Sequence, residues 1–238
     1  MNTDQRKTEI ILALDVESRL KAKDILSDVG EDLRWIKIGL QTYLRDGPDF
    51  IRELADGGYK VFLDLKLHDI PNTVAKAIES LAGMPIGMLT MHSCAGSECI
   101  RAAVAAAGEH LPQTKLLGVT VLTSLDDAAL KEIGIADSAE TQVQRLAGMA
   151  TLSGVDGIVC SPLELEPLRR ILPAEISLVT PGIRPSNAAQ DEQKRVMSPA
   201  AAAQLGANFL VIGRPILSSP DSRKAFQSIL MELSEEAS

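Results

Sequence analysis

Two acidic residues and a lysine lie within six positions of one another at the end of an apolar stretch. Asp64, Lys66 and Asp69 belong to the segment 61–71, which reads VFLDLKLHDIP. Because side chains alternate between the two faces of an extended strand, Asp64 and Lys66 are predicted to share a face with Phe62. Charged side chains are rarely buried unless they are paired. A carboxylate and an ammonium at the end of a buried strand therefore indicate either a structural ion pair or a reaction centre.

A second lysine extends this charged group. Lys37 ends another predicted strand, and together with Asp64, Lys66 and Asp69 it would form an array of two cations and two anions. A purely structural ion network that plugs the end of a barrel stays open as an alternative. In the functional interpretation, the flanking carboxylates favour the charged form of Lys66, and a protonated amine suits a general acid.

The elements that must position these residues follow a repeating order. Short apolar segments alternate with longer amphipathic stretches, and Pro71 is predicted to open one of the helices. The predicted strands are residues 9–14, 34–38, 60–65, 87–91, 115–121, 157–160, 177–179 and 208–212. Eight strand-then-helix units predict a (β/α)8 TIM barrel that forms a single domain over residues 1–238, with a doubly wound open sheet as the main alternative.

Chemistry in a barrel of this kind lies at the carboxyl ends of the strands. Polar residues gather at several of these predicted ends, and strand parity places Asp15 on the same face as Ile11 and Ala13. Besides the charged array, the candidate residues at the strand ends are Asp15, Thr123, Arg184 and the pair Gly213-Arg214.

Two segments near the last strands are further candidates, one for a lid and one for phosphate binding. Residues 179–185 read VTPGIRP, a glycine turn stiffened by prolines, and a polar stretch follows. We predict a lid over residues 182–196, with an ordinary solvated loop as the alternative. Gly213 and Arg214 combine backbone N–H groups with a guanidinium, and barrels of this type commonly bind phosphate after strands 7 and 8.

Composition restricts the choice of partners. The net charge of −8 argues against non-specific nucleic-acid binding. No apolar stretch is long enough to span a bilayer, and the polar N-terminus has no apolar signal region. The three cysteines show no metal-ligand spacing and are expected to be reduced thiols. We therefore expect a cytoplasmic protein with no metal site and no nucleic-acid or membrane partner.

Taken together, these motifs resemble the orotidine 5'-phosphate decarboxylase family in its bacterial form. The matching segments are Leu14-Asp15-Val16, Lys37-Ile38-Gly39, residues 64–73, Leu122-Thr123-Ser124, residues 180–185, Gln193 and Gly213-Arg214-Pro215. The resemblance covers nearly the whole chain. It implies a decarboxylation without metal or cofactor that converts orotidine 5'-phosphate to uridine 5'-phosphate and carbon dioxide in pyrimidine synthesis.

The resemblance also implies a role for each residue of the charged array. Lys66 would protonate C6 of the pyrimidine as carbon dioxide leaves, and Asp64 would lie near the substrate carboxylate. Lys37 and Asp69 would complete the array and hold the ribose hydroxyls, which Asp15 would also contact.

The remaining positions would bind the rest of the nucleotide. Thr123 would contact the pyrimidine edge, and the phosphate would be held by Arg184, Gln193, Gly213 and Arg214. The resemblance further implies a homodimer, in which Asp69, Ile70 and Thr73 of one subunit reach into the active site of the other.

Two other functions remain open at this stage. A magnesium-dependent sugar-phosphate decarboxylase or aldol-type synthase of the same superfamily shares the Asp-x-Lys-x-x-Asp run, but tends to carry an acidic residue at the position of Lys37. A non-catalytic barrel that binds phosphate ligands would keep Gly213 and Arg214 and would have a damaged charged array.

Overall fold

The computed structural model describes residues 8–185 and 197–235. Its eight strands are all parallel and close into a barrel in the order in which they follow one another along the chain. They are β1 Glu9–Ala13, β2 Trp35–Gly39, β3 Lys60–Leu67, β4 Ile86–His92, β5 Lys115–Val119, β6 Gly157–Val159, β7 Ser177–Thr180 and β8 Phe209–Ile212. The predicted (β/α)8 barrel is confirmed, and each predicted strand overlaps an observed one.

Helices follow the strands around the outside of the barrel. They are α1 Arg19–Val29, α2 Leu40–Asp56, α3 Pro71–Glu79, α4 Ser97–His110, α5 Asp127–Glu132, α6 Ala139–Leu152, α7 Leu165–Ile171, α8 Pro199–Gln204, α9 Arg214–Leu217 and α10 Ser222–Glu235, with short 3₁₀ turns at Ser93–Ala95 and Pro162–Glu164. Pro71 is the first residue of α3, as predicted. Side-chain oxygens cap several helix starts; the Ser18 hydroxyl, for example, accepts from the N–H of Lys21.

The strands separate two apolar clusters. The inner cluster fills the barrel and consists of Ile11, Ala13, Trp35, Phe62, Met88, Leu117, Val179, Phe209 and Val211. The outer cluster lies between strands and helices, and Leu12 and Leu63 belong to it. Ile11 and Phe62 therefore face the interior while the next residue on each strand faces the helices. The predicted parity of β1 and of the start of β3 is confirmed.

Aromatic side chains close the amino end of the barrel. The rings of Trp35 and Phe209 meet edge to face, with centroids 5.6 Å apart. A Cβ atom at Gly87 would lie 2.8 Å from the Trp35 ring, so a glycine there makes room for the indole. Lys37 lies two positions after Trp35 on the same face of β2 and therefore nearer the carboxyl end of the barrel. The filled amino end leaves the carboxyl end as the place for an open cavity.

Within the described part of the chain, no helix is both long enough and apolar enough to cross a membrane. Residues 186–196, which make up most of the predicted lid, lie outside the described residues. The lid therefore stays a prediction.

Candidate active site

Four charged side chains from three neighbouring strands alternate in sign at the carboxyl end of the barrel. The Nζ atom of Lys37 lies 3.2 and 3.1 Å from the two carboxylate oxygens of Asp15 and 3.6 Å from Oδ2 of Asp64. The Nζ atom of Lys66 donates to the same Asp64 Oδ2 at 2.7 Å. We call this row of Asp15, Lys37, Asp64 and Lys66 the charged row. Its two ammonium groups share one carboxylate oxygen.

The charged row is buried in the middle and open at its ends. The side chains of Lys37 and Asp64 are each 11% exposed, whereas those of Lys66 and Asp15 are 31% and 44% exposed. Burying a charge is costly unless it is paired, and both buried members have oppositely charged neighbours on two sides. The Lys66 ammonium therefore reaches the solvent side while it stays anchored to a buried anion.

Asp64 is ionised in this setting. Burial acts to raise the pKa of Asp64, but Lys37, Lys66 and the hydroxyl of Thr90 outweigh that effect, and the pKa lies below its ordinary value. Asp64 consequently stays negative across the neutral range, with its charge held beside Lys66.

Close packing against Asp15 and Lys37 explains why the motif Lys37-Ile38-Gly39 ends in a glycine. A Cβ atom at this position would lie 2.9 Å from Asp15 Oδ1 and 2.9 Å from Lys37 Nζ. Gly39 also pairs with Asp64 in the register of β2 and β3. Any side chain at position 39 would thus enter the space that the Asp15–Lys37 contact occupies.

Lys66 reaches the charged row through a strand irregularity. Leu63 pairs with Leu89 and Leu67 pairs with Met91, so three residues of β3 oppose the single residue Thr90 of β4. Lys66 has φ 52°, the sole positive φ of a non-glycine residue among those described. This conformation costs about 1–3 kcal/mol in general and is concentrated at functional sites. The pairing with β4 is therefore irregular after Leu63, but the predicted faces are confirmed, since Phe62, Asp64 and Lys66 line one cavity while Leu65 packs against the outer cluster.

A cavity of about 180 Å³ opens beside the charged row. Lys37, Asp64 and Lys66 form its charged wall, while the rest of the lining is largely apolar. The remaining lining residues are Phe62, Val119, Val121, Leu122, Thr123, Val159, Cys160, Ser161, Pro181 and Val211. The structure thus brings the predicted residue Thr123 into the same cavity as Lys66. Charges act more strongly beside an apolar wall than in bulk water.

The predicted residues after β3 take no part in the ion pairs that join the charged row of their own chain. Asp69, Ile70 and Thr73 are exposed, and the Asp69 carboxylate accepts from the N–H of Ile70 at 2.7 Å. Within one chain the balanced array therefore contains Asp15 where the sequence led us to expect Asp69. The predicted role of these three residues in a partner subunit stays a prediction.

The predicted phosphate residues follow two neighbouring strands. Gly213 and Arg214 come directly after β8, and Arg214 is the first residue of α9. Arg184 follows β7, and its backbone N–H donates to the carbonyl of Met197 at 2.9 Å. Gln193 lies outside the described residues. Because β7 and β8 pair with each other, Arg184, Gly213 and Arg214 follow neighbouring strands of the barrel.

Sequence reasoning missed two parts of the site. Thr90 is fully buried and contacts both Asp64 and Lys66 through its hydroxyl. Its one signal in the sequence is a polar residue within the apolar segment 86–91, IGMLTM. The pairing of Asp15 with Lys37 was also missed, because it depends on the register of β1 and β2, in which Ala13 lies beside Lys37.

Across residues 8–185 and 197–235, no group of three or more His, Cys, Asp or Glu side chains is arranged to hold a metal ion. The carboxylates of the charged row are instead separated by lysines, and both buried members are satisfied by side-chain contacts.

Comparison with known proteins gives the same assignment as the motifs. The family model described as "Orotidine 5'-phosphate decarboxylase / HUMPS family" matches residues 8–229. The chain belongs to this family. It is 56% identical over 225 residues to orotidine 5'-phosphate decarboxylase of Opitutus terrae, which covers 94% of this chain and 98% of that relative. The enzyme of the same name from Nitrosococcus oceani is 43% identical over 96% of this chain and 98% of its own.

A solved structure supports the fold independently. The crystal structure of orotidine 5'-phosphate decarboxylase from Lactobacillus acidophilus superposes with a TM-score of 0.83 at 36% sequence identity. The alignment covers 95% of this chain and 99% of that one. The family predicted from the motifs is therefore confirmed.

The lowered pKa of Asp64 predicts how acid affects stability. A carboxyl group whose folded pKa lies below its unfolded value of 3.8 stabilises the fold above about pH 4, and this contribution is lost as the pH falls through the folded pKa. We therefore expect the difference in free energy of unfolding between wild type and Asp64→Asn to shrink from about pH 6 to about pH 3, as measured by urea denaturation.

The control is Asp24→Asn, which removes one carboxylate from the exposed face of α1. Its difference from wild type should change far less over the same pH range. A difference for Asp64→Asn that is constant or larger in acid would contradict the assignment of Asp64 as a stabilising anion.

Proposed function

We propose that this protein catalyses the decarboxylation of orotidine 5'-phosphate to uridine 5'-phosphate and carbon dioxide, as its role in pyrimidine biosynthesis. The observation that carries the proposal is the Lys66 ammonium, held 2.7 Å from buried Asp64 at the wall of the cavity. The names of the relatives support the same activity.

The main difficulty of this reaction is the charge left on carbon. When the bond between C6 and the carboxylate breaks, its electron pair stays on C6, where the ring offers little delocalisation. An ammonium fixed beside C6 stabilises that pair with little reorganisation. Lys66 then transfers a proton from Nζ to C6, which forms the C–H bond of the product and leaves a neutral amine that solvent reprotonates.

Asp64 contributes by keeping its charge. Two ammoniums and the Thr90 hydroxyl hold its carboxylate ionised, so it cannot relieve a nearby negative charge by taking up a proton. In the proposed complex the substrate carboxylate lies next to Asp64, and its departure as neutral carbon dioxide removes a repulsion between like charges. Val119 and Val159 of the cavity offer an apolar surface that suits neutral carbon dioxide better than a carboxylate.

The other predicted residues bind the parts of the nucleotide that do not react. Asp15 and Lys37 hold the ribose hydroxyls, and Thr123 contacts the pyrimidine edge. Arg184, Gln193, Gly213 and Arg214 hold the phosphate, and the segment 182–196 closes over it. Binding energy from the distant phosphate can be expressed in the transition state when it drives closure.

The family description joins two names, so membership alone does not exclude the magnesium-dependent sugar-phosphate enzymes. Lys37 favours the decarboxylase of nucleotides, because its Nζ lies 3.6 Å from Asp64 Oδ2 and would repel a divalent cation bound there. A non-catalytic phosphate-binding barrel is disfavoured by the intact charged row.

We further propose a cytoplasmic homodimer with two shared active sites. Asp69, Ile70 and Thr73 are exposed in the single chain, and Ile70 is a large apolar side chain with 66% exposure. Leu40 and Leu44 of α2 are likewise exposed and follow β2, the neighbour of β3. A partner subunit that covers this region would bury apolar surface and receive Asp69 at its own charged row.

Replacing Lys66 tests the proposed proton donor. Lys66→Ala should lower turnover by at least about 1,000-fold, because both electrostatic stabilisation of C6 and proton transfer are lost. The measurement is the loss of orotidine 5'-phosphate absorbance on addition of protein, together with the thermal unfolding transition. The matched control, Lys21→Ala on the exposed side of α1, should keep the wild-type rate. A folded Lys66→Ala protein with substantial turnover would remove Lys66 from this role.

Mixing two inactive variants tests the shared sites. Lys66→Ala and Asp69→Ala each damage both sites of a homodimer, whereas a mixed dimer contains one site with both residues intact. After unfolding and refolding of an equal mixture, about a quarter of wild-type activity should return, since half of randomly assorted dimers are mixed and each has one intact site. Recovery should be absent when each variant is refolded alone. If the mixture also stays inactive, Asp69 acts within its own chain; an Asp69→Ala protein that is active on its own would show that Asp69 is not needed.

A further inference from the structure

The hydroxyl of Thr90 forms hydrogen bonds with two parts of the active site, the Asp64 carboxylate and the Lys66 backbone. Its Oγ1 donates to Asp64 Oδ1 at 2.9 Å and accepts from the Lys66 N–H at 2.9 Å. Thr90 is fully buried in β4 and does not line the cavity. It therefore acts from behind the charged row and not by touching a ligand.

The direction of both hydrogen bonds follows from the chemistry of the groups. An ionised carboxylate only accepts and a backbone N–H only donates, so the single proton of the Thr90 hydroxyl must point to Asp64. With Oδ1 bonded to Thr90, the other oxygen of Asp64 is directed to both ammoniums, at 2.7 Å from Lys66 Nζ and 3.6 Å from Lys37 Nζ. Thr90 thus fixes the rotation of the carboxylate that holds Lys66.

The second bond supports the unusual backbone of Lys66. The irregularity between β3 and β4 interrupts the ladder where Lys66 lies, and a left-handed conformation of a non-glycine residue persists only when surrounding contacts hold it. The Thr90 hydroxyl accepts the N–H that the interrupted ladder leaves without a strand partner. The Thr90 side chain therefore holds the Lys66 backbone directly and the Lys66 ammonium indirectly, through Asp64.

We propose that Thr90 is a positioning residue, which sets the place of the Lys66 ammonium by holding the Lys66 backbone and the Asp64 carboxylate at once. Its effect on turnover rests on the function proposed above. Its effect on the geometry of Asp64 and Lys66 does not.

Two substitutions separate the hydroxyl from the shape of the side chain. Thr90→Val keeps the branched shape and removes the hydroxyl, whereas Thr90→Ser keeps the hydroxyl and removes a methyl group. A hydrogen bond to a charged group that is lost in a buried site corresponds to a fall in rate of about 10- to 100-fold. We expect kcat of Thr90→Val to fall by this factor with KM changed less than about threefold, since Thr90 does not line the cavity.

Thr90→Ser should keep kcat within about threefold of wild type. The matched control is Thr114→Val, which removes a hydroxyl bonded to the carbonyl of Ile86 at the opposite end of β4. It should leave kcat unchanged. If Thr90 matters only for packing, the order reverses, with Thr90→Ser impaired and Thr90→Val normal, and that order would overturn the proposal.

A readout that needs no activity is the ¹³C titration of the Asp64 carboxyl carbon by NMR. The groups that face Asp64 are Lys37 from β2, Lys66 from β3 and Thr90 from β4, with Asp15 beyond Lys37 and His92 of β4 within electrostatic range. Loss of the donor from Thr90 should move the Asp64 titration to higher pH in Thr90→Val, but not in Thr90→Ser or Thr114→Val.

An unshifted titration in Thr90→Val would overturn the proposal even if the protein proved to have another activity. Conversely, a wild-type protein that fails to decarboxylate the substrate, but shows the shift, would contradict the proposed function and retain the role of Thr90. If Thr90→Val does not fold, Thr90→Cys against Thr90→Ser replaces it, because these two side chains differ chiefly in hydrogen-bond strength.

Discussion

The site depends on one carboxylate oxygen shared by two ammonium groups. Asp64 is buried, and a buried carboxylate is tolerated only where opposite charge and hydrogen bonds replace water. Lys37 and Lys66 both approach Oδ2, while Thr90 takes Oδ1. Removing either cation would leave a buried imbalance, so the members of the charged row stabilise one another. The same arrangement holds an ammonium at the cavity wall, where a developing carbanion would need it.

The barrel supplies what this arrangement requires. Its inner face is apolar below the charged row, and the edge-to-face pair of Trp35 and Phe209 closes the amino end. Parallel strands bring their carboxyl ends to one side, which lets β1, β2 and β3 each contribute to the charged row. Because Gly39 has no side chain, it leaves the space in which Asp15 and Lys37 make contact. The amino ends of the strands thus pack the barrel interior, and the carboxyl ends of the same strands carry the reactive groups.

Much of this could be predicted from the sequence, because hydrophobic alternation reports strands and their inner faces directly. The eight strands, the interior position of Phe62 and the meeting of Lys37, Asp64 and Lys66 all followed from it. Alternation does not report register, so the contact of Asp15 with Lys37 was not foreseen. Nor does it report irregularities: Lys66 adopts a conformation usually taken by glycine, and only the contacts of Thr90 show why. The role proposed for Asp69 requires a second chain, which no periodicity reveals.

The central claim is that lysine ammoniums, and not a bound metal, provide the positive charge for the reaction. It is tested most directly by the rate at which orotidine 5'-phosphate absorbance is lost after the purified protein has been dialysed against a strong chelator. The account predicts that the rate is undiminished and that added Mg²⁺ leaves it unchanged. Loss of turnover after dialysis, with recovery on addition of Mg²⁺, would contradict it.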